Sequence, residues 1–130
     1  MSGDAVDWSR LREFAGTDLT KSFLLSGHYE SQTLFLDTDL LLTPEHPSYE
    51  PPRPREKVCI RPAVIEFPFC DRLEADSVPA DGGIADVARR LGHGAITGLR
   101  RFDDGRYELE GEFGRILIHA ERPVLRLKSP

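Results

Sequence analysis

Leucines at 34, 36, 40 and 42 stand at even positions, with Asp37 and Asp39 in the odd positions between them. A period of two places the leucines on one side of an extended chain and the aspartates on the other, which predicts a strand that covers a core with one face. Upstream of it the same period sets Phe23, Leu25 and Tyr29 on one face of a second strand. The two are read as antiparallel neighbours joined near Glu30 to Gln32.

The segment after this pair breaks the pattern. Residues 43 to 55 hold five prolines in thirteen positions, which can neither donate to a sheet ladder nor continue a helix. The expectation is an extended, ordered, solvent-facing loop, with Tyr49 partly packed on the sheet and Arg53 and Arg55 directed outward. Beyond it Val58 and Ile60 share one parity and Ile65, Phe67 and Phe69 the other, so a bulge or bend is expected at Pro62.

Helical spacing occurs twice. Trp8, Leu11, Phe14 and Ala15 fall three or four apart between Asp7 as a cap and Gly16 as a left-handed stop, which predicts a short helix over about 7–15. Ile84, Val87, Ala88 and Leu91 match the i, i+3, i+4, i+7 stripe and predict a helix over about 83–91, with Asp81 capping it and Gly92 ending it. Three or four short strands follow. Asp104-Gly105 is read as a hairpin turn between Leu99 to Phe102 and Arg106 to Glu112. Phe113-Gly114 is read as the next reversal, before Arg115 to Ala120, and Val124 to Lys128 as the last strand. A two-residue loop at Phe113-Gly114 sets Tyr107 opposite Ala120, Leu109 opposite Ile118 and Gly111 opposite Ile116. It also sets Glu108 beside His119 and Glu112 beside Arg115 on the outer face.

The order of elements predicts an α+β, β-rich fold: an antiparallel meander curled into a barrel-like or strongly bent sheet, with a helix over an open end. A flat two-layer α+β sheet is the runner-up. At 130 residues, with no repeat or internal boundary, residues 1–130 are read as a single domain.

Composition narrows the partners. A formal net charge of −5 argues against nucleic acid. Apolar runs of three or four residues fall far short of the roughly 20 needed to cross a bilayer. Residues 1–7 lack the basic and apolar regions of a secretory signal, so a cytoplasmic chain is expected, with Cys59 and Cys70 as two free thiols. Fourteen Arg against three Lys, with no Asn, points to a GC-rich bacterial genome.

The chemistry-bearing residues are scattered. No two of His28, His46, His93, His119, Cys59 and Cys70 lie closer than eleven positions, against the two to five residues typical of zinc-ligand pairs, so no metal is expected. There is no nucleophile elbow or phosphate loop, and no cofactor or catalytic residue is assigned. Asp37 and Asp39, and Glu108, Glu110 and Glu112, fall opposite the apolar positions of their strands and are read as solvated faces. The segment from His46 to Arg61 stands apart, for it concentrates an aromatic ring, a stiff backbone and basic side chains in an acidic chain. Tyr and Arg are enriched at binding hot spots and proline lowers the entropy cost of binding, so His46, Tyr49, Arg53 and Arg55 are the candidate partner-binding residues.

Asp18-Leu19-Thr20-x-Ser22, His46-Pro47-x-Tyr49-x-x-Pro52, Glu56-x-x-Cys59 and Gly111-x-Phe113-Gly114 together resemble a pattern of small single-domain bacterial proteins of unknown function. The resemblance implies a compact, mainly β domain and carries over no catalytic residue. Size, charge and architecture are also similar, at the level of class alone, to immunity proteins of bacterial toxin systems. The leading expectation is therefore a non-enzymatic protein that neutralises or scaffolds a protein partner. The alternative is a small-molecule or metal-dependent enzyme using His28, His46 or His119 with a carboxylate on the same sheet face.

Overall fold

A computed structural model describes residues 5–52, 54–55 and 57–128. Its strands are β1 (Val6–Asp7), β2 (Thr17–Glu30), β3 (Thr33–Leu42), β4 (Cys59–Phe67), β5 (Arg72–Ala75), β6 (Gly94–Arg101), β7 (Arg106–Gly111), β8 (Gly114–His119) and β9 (Val124–Leu127), with helix α1 (Gly83–Arg89) between β5 and β6. They form one antiparallel sheet in the order β5-β8-β7-β6-β2-β3-β4-β9, and β1 pairs with the end of β6. The fold is thus β-rich with a single α-helix among the described residues, and the sheet is not closed into a barrel. No described helix is long and apolar enough to cross a membrane.

Two sets of consecutive strands, β2-β3-β4 and β6-β7-β8, meet where β2 touches β6 through the pairs Phe23↔Ala95 and Leu24↔Gly94. The sheet folds over at this narrow joint. In a flat sheet β4 and β7, four strand spacings apart, would lie roughly 19 Å from each other. Instead the rings of Phe67 on β4 and Tyr107 on β7 meet edge to face, with centroids 5.2 Å apart. Leucines 34, 36, 40 and 42 are all buried in the concave face, as their spacing predicts, together with Ile65, Leu99, Leu109, Ile116 and Ile118.

Several local expectations are overturned. The N-terminal segment is not an α-helix but two 3-10 turns, Trp8–Arg10 and Arg12–Phe14, interrupted by Leu11 in extended geometry. Leu11 and Phe14 are drawn into the core, and burying both from so short a segment requires the break between the turns. Asp7 does cap the first turn, accepting from Ser9 N, and Gly16 is left-handed at φ +78°. Helix α1 ends at Arg89, and Asp81 does not cap it but lies in a 3-10 turn over Ala80–Gly82. The loop from Thr43 is not extended throughout: His46 N donates to Thr43 O and Tyr49 N to His46 O, closing two successive turns. The short edge strand β5, anchored by Leu73, escaped the sequence reading because four residues with one buried apolar side chain carry no period.

Two faces are reversed. On β2 it is Ser22 and Leu24 that are buried, while Phe23 and Leu25 are 42% and 45% exposed; Tyr29, the third residue of the expected face, does pack against the core. The pairing jumps from Asp18↔Leu41 to Phe23↔Asp39, and again between Leu24 and Ser26, so bulges shift the parity that simple alternation assigns. On β4 there is no bulge at Pro62, because the ladder to β3 runs unbroken from Leu42↔Cys59 to Leu34↔Phe67. The buried parity is that of Cys59, Ala63, Ile65 and Phe67, which leaves Val58 and Ile60 outside.

The β7–β8 register also differs from expectation. The paired residues are Tyr107↔Ile118, Glu108↔Leu117, Leu109↔Ile116, Glu110↔Arg115 and Gly111↔Gly114. The turn residues are Glu112 and Phe113, neither with positive φ, and Gly114 at φ +97° supplies the left-handed residue that such a turn needs next. Glu108 is not a solvated acid. It is 4% exposed and clamped by Arg100, whose Nε donates to it at 2.7 Å, and by Arg115 at 3.6 Å.

Candidate functional site

Two surfaces have the character of a site. The first is a cleft at one open end of the concave face. Here the β4–β5 connection is tied to the β8–β9 connection by Asp71 N donating to His119 O at 3.0 Å and Glu121 N to Pro68 O at 2.9 Å. The β6–β7 hairpin closes the third side, with Phe102 N on Arg106 O at 2.8 Å. Between them opens a cleft of about 450 Å³ lined by Phe69, Asp71, Arg101, Asp103, His119 and Glu121, among others.

Arg101 pairs across the strands with Tyr107, which places both on the concave side, and its guanidinium lies 6.0 Å from the Tyr107 ring centroid. Its Nε is buried and meets no acceptor among the described residues. Arg122 reaches under the connection to Glu13, with Nη1 2.8 Å from Oε2. Burial is the largest single influence on Glu13 and raises its pKa, but the Arg122 hydrogen bond, a backbone hydrogen bond and the charges of Arg122 and Arg12 together outweigh it, and the carboxyl is held below its ordinary value. Burial pushes the Tyr107 hydroxyl pKa up, with the Arg101 and Arg122 charges opposing the shift. On the rim, Asp104 is held below its ordinary value by hydrogen bonds from the Arg106 backbone and guanidinium. Phe69 is 69% exposed with φ +52°, an aromatic ring presented to solvent at the cleft mouth.

The second surface is the outer face of β2-β3-β4. The pairings Phe23↔Asp39 and Asp39↔Pro62 set these three residues in one row, and Leu41↔Ile60 lies in the next pair along the same face. Val58 and Ile60 on the β4 side are 40% and 41% exposed, and Phe23 and Leu25 on the β2 side are exposed as well, with Asp39 and Leu41 on β3 between the two pairs. The proline loop runs straight into it, with Arg55 and Lys57 exposed just before Val58.

The four loop residues named from the sequence have different surroundings. His46 is half-buried, its Nδ1 accepts from Ser48 N at 3.0 Å, and its Cα stands 2.8 Å from where a Cβ on Gly16 would lie. That contact and the positive φ together require glycine at 16. Tyr49 is half-buried against the core, Arg55 is exposed, and Arg53 lies outside the described residues. Of the histidines considered for acid–base work, His119 lines the cleft. His28 stacks on Phe35 at 4.8 Å at the far end of the β2–β3 hairpin. No group of three His, Cys, Asp or Glu is set to hold a metal ion among the described residues. Sequence reasoning missed Phe69, Arg101 and Arg122, which are distant in the chain and converge only through the pairing of β5, β6 and β8. It also missed the exposed apolar side chains of the outer face, because the parities of β2 and β4 were assigned inward.

No protein-family model matches the chain, nor does any curated protein or any solved structure.

Proposed function

We propose that the chain is a non-enzymatic binding protein that neutralises or scaffolds a protein partner through the outer face of β2-β3-β4 and the proline loop that feeds it. The observation that carries the reading is the set of large apolar side chains left exposed on this face, Phe23 and Leu25 on β2 and Val58 and Ile60 where the loop rejoins β4. Large side chains clustered outside a core mark interaction surfaces more often than chance. Arg55, Lys57 and Lys21 are exposed beside these residues in a chain of net charge −5, and Asp39 is the acid between them. The matching partner is a protein segment with an aliphatic or aromatic anchor flanked by carboxylates, which long-range attraction would steer onto the basic rim. His46 and Tyr49 hold the base of the loop, while Arg55, and Arg53 by its place in the sequence, supply contacts.

Selection of a displayed random-peptide library on the intact protein tests this. Enriched sequences should place Asp or Glu beside Leu, Ile or Phe, and Ile60→Asp and Lys57→Glu should each abolish their binding without changing the melting temperature. Neutral or basic sequences, or peptides indifferent to Ile60→Asp, would overturn it. A dimer that forms with concentration and is lost in Ile60→Asp would also overturn it, by making a second copy of the chain the occupant.

The competing reading, an enzyme, is favoured by one placement: His119 lines the same cleft as Asp71 and Asp103. An imidazole and a carboxylate sharing a concave site are the elements of general acid–base work.

A further inference from the structure

The cleft holds charges of both signs that do not neutralise one another. Among the described residues, Arg101 makes no ion pair within 4.0 Å, and neither do Asp71, Asp103 and Glu121. The other charges there are already engaged, Arg122 with Glu13 and Asp104 with Arg106. Opposite charges in one site ordinarily collapse into a pair. Here the guanidinium is anchored on the Tyr107 ring at the end of β6, while the three acids sit on the hairpin and on the two connections. Arg101 Nε is a buried donor without an acceptor, an arrangement that folded proteins keep rare because it costs free energy.

We infer that this cleft binds a compact zwitterion, a free α-amino acid or a short peptide, with its carboxylate on Arg101, its ammonium toward Asp71, Asp103 and Glu121, and its side chain against Phe69. A plain anion would meet the three free carboxylates, and a plain cation would leave Arg101 unpaired and repelling it. A ligand carrying both signs satisfies each set at once. The planar guanidinium suits a carboxylate through parallel N–H donors, and its restraint on Tyr107 lowers the ordering cost of that contact. An exposed phenylalanine at the mouth offers an apolar face to a side chain and an aromatic one to an ammonium. The volume of about 450 Å³ lies within the range of small-molecule sites and leaves room for an amino acid or a dipeptide. This site is independent of the outer face of β2-β3-β4 and stands or falls without it.

The test is an amide NMR titration of the intact protein with glycine, L-leucine, L-phenylalanine and L-alanyl-L-phenylalanine at millimolar concentration. N-acetyl-L-phenylalanine and L-phenylalanine amide serve as single-charge controls. At least one zwitterion should shift the amides of Asp103 to Gly105 and His119 to Arg122. Both controls should bind at least about tenfold more weakly than L-phenylalanine, as loss of one charge-assisted hydrogen-bond set implies. Arg101→Gln should remove the shifts and Asp103→Asn, on the exposed rim, should weaken them. If Arg101→Gln does not fold, Asp103→Asn and the control ligands decide. Absence of shifts at the cleft with all four zwitterions would overturn the inference, as would a control that binds as tightly as its parent.

Discussion

Replacing Ser22 with alanine removes one oxygen from the interior and should cost far more than its size suggests. In the bulge of β2, residues 19–22 stand opposite Leu40 alone, since the pairing resumes only at Phe23↔Asp39. The bulge carries the β2 backbone away from β3, and Ser22 fills the gap in the ladder. Its Oγ accepts from Leu41 N at 2.9 Å and donates to Asp18 O at 2.8 Å, and the residue is fully buried. Ser22→Ala leaves a buried N–H and a partly buried carbonyl without this partner, each worth about 1–3 kcal/mol, with the carbonyl at the lower end because it is nearer to water and has a second lone pair. The expected loss is about 2–4 kcal/mol, a large share of a typical domain's 5–15 kcal/mol. Urea unfolding followed by circular dichroism should show a lower midpoint at unchanged slope, and the melting temperature should fall by roughly 8–15 °C. Thr20→Ala is the control. Thr20 is exposed and bonds only the Asp18 side chain, at 2.6 Å, so its loss should stay within about 0.5 kcal/mol. A Ser22→Ala protein within that same margin of the parent would refute the argument, by showing that water or a shifted backbone satisfies Leu41 N.

Two further outcomes follow from buried ionisable groups. Glu108→Ala should destabilise by about 1–3 kcal/mol, short of the 3–5 of a fully buried pair because Arg100 and Arg115 are half-exposed and can turn to water; a neutral result in urea unfolding would remove the clamp from the energetics. Burial pushes the Cys70 thiol up to about 11 from an ordinary 9.0, so the native chain keeps a proton that the unfolded chain releases. Its contribution is therefore complete below pH 9 and is lost as pH rises toward 11. A Cys70→Ala protein should show a shallower alkaline decline than the parent, and identical slopes would contradict this. Both cysteines should titrate as free thiols once the unreduced protein is unfolded.

What the sequence determined by itself was local. The alternation of Leu34 to Leu42 is true of the fold because β3 is central, paired on both sides and free of bulges, so nothing intervenes between its period and its face. The reversal between β2 and β3 falls within the expected Glu30 to Gln32, although Ser31 and Gln32 both take positive φ, the Asp104-Gly105 turn lies where turn chemistry puts it, and α1 sits under its apolar stripe. Tertiary structure decided what alternation cannot encode. A bulge costs little backbone energy but inverts the parity up to the next bulge, here from Ser22 to Leu24, and the fit of Ser22 and Leu24 into the core selected it over the equally alternating Phe23 and Leu25. Likewise Gly111 opposite Gly114, rather than opposite Ile116, was chosen by which turn the backbone could close. Phe69, Arg101, His119 and Arg122 form a cleft because the sheet folds over at the β2–β6 joint and its connections cross-link. That contact, between residues as far apart as Phe69 and Arg122, is a property of the folded-over sheet and leaves no mark in the spacing along the chain.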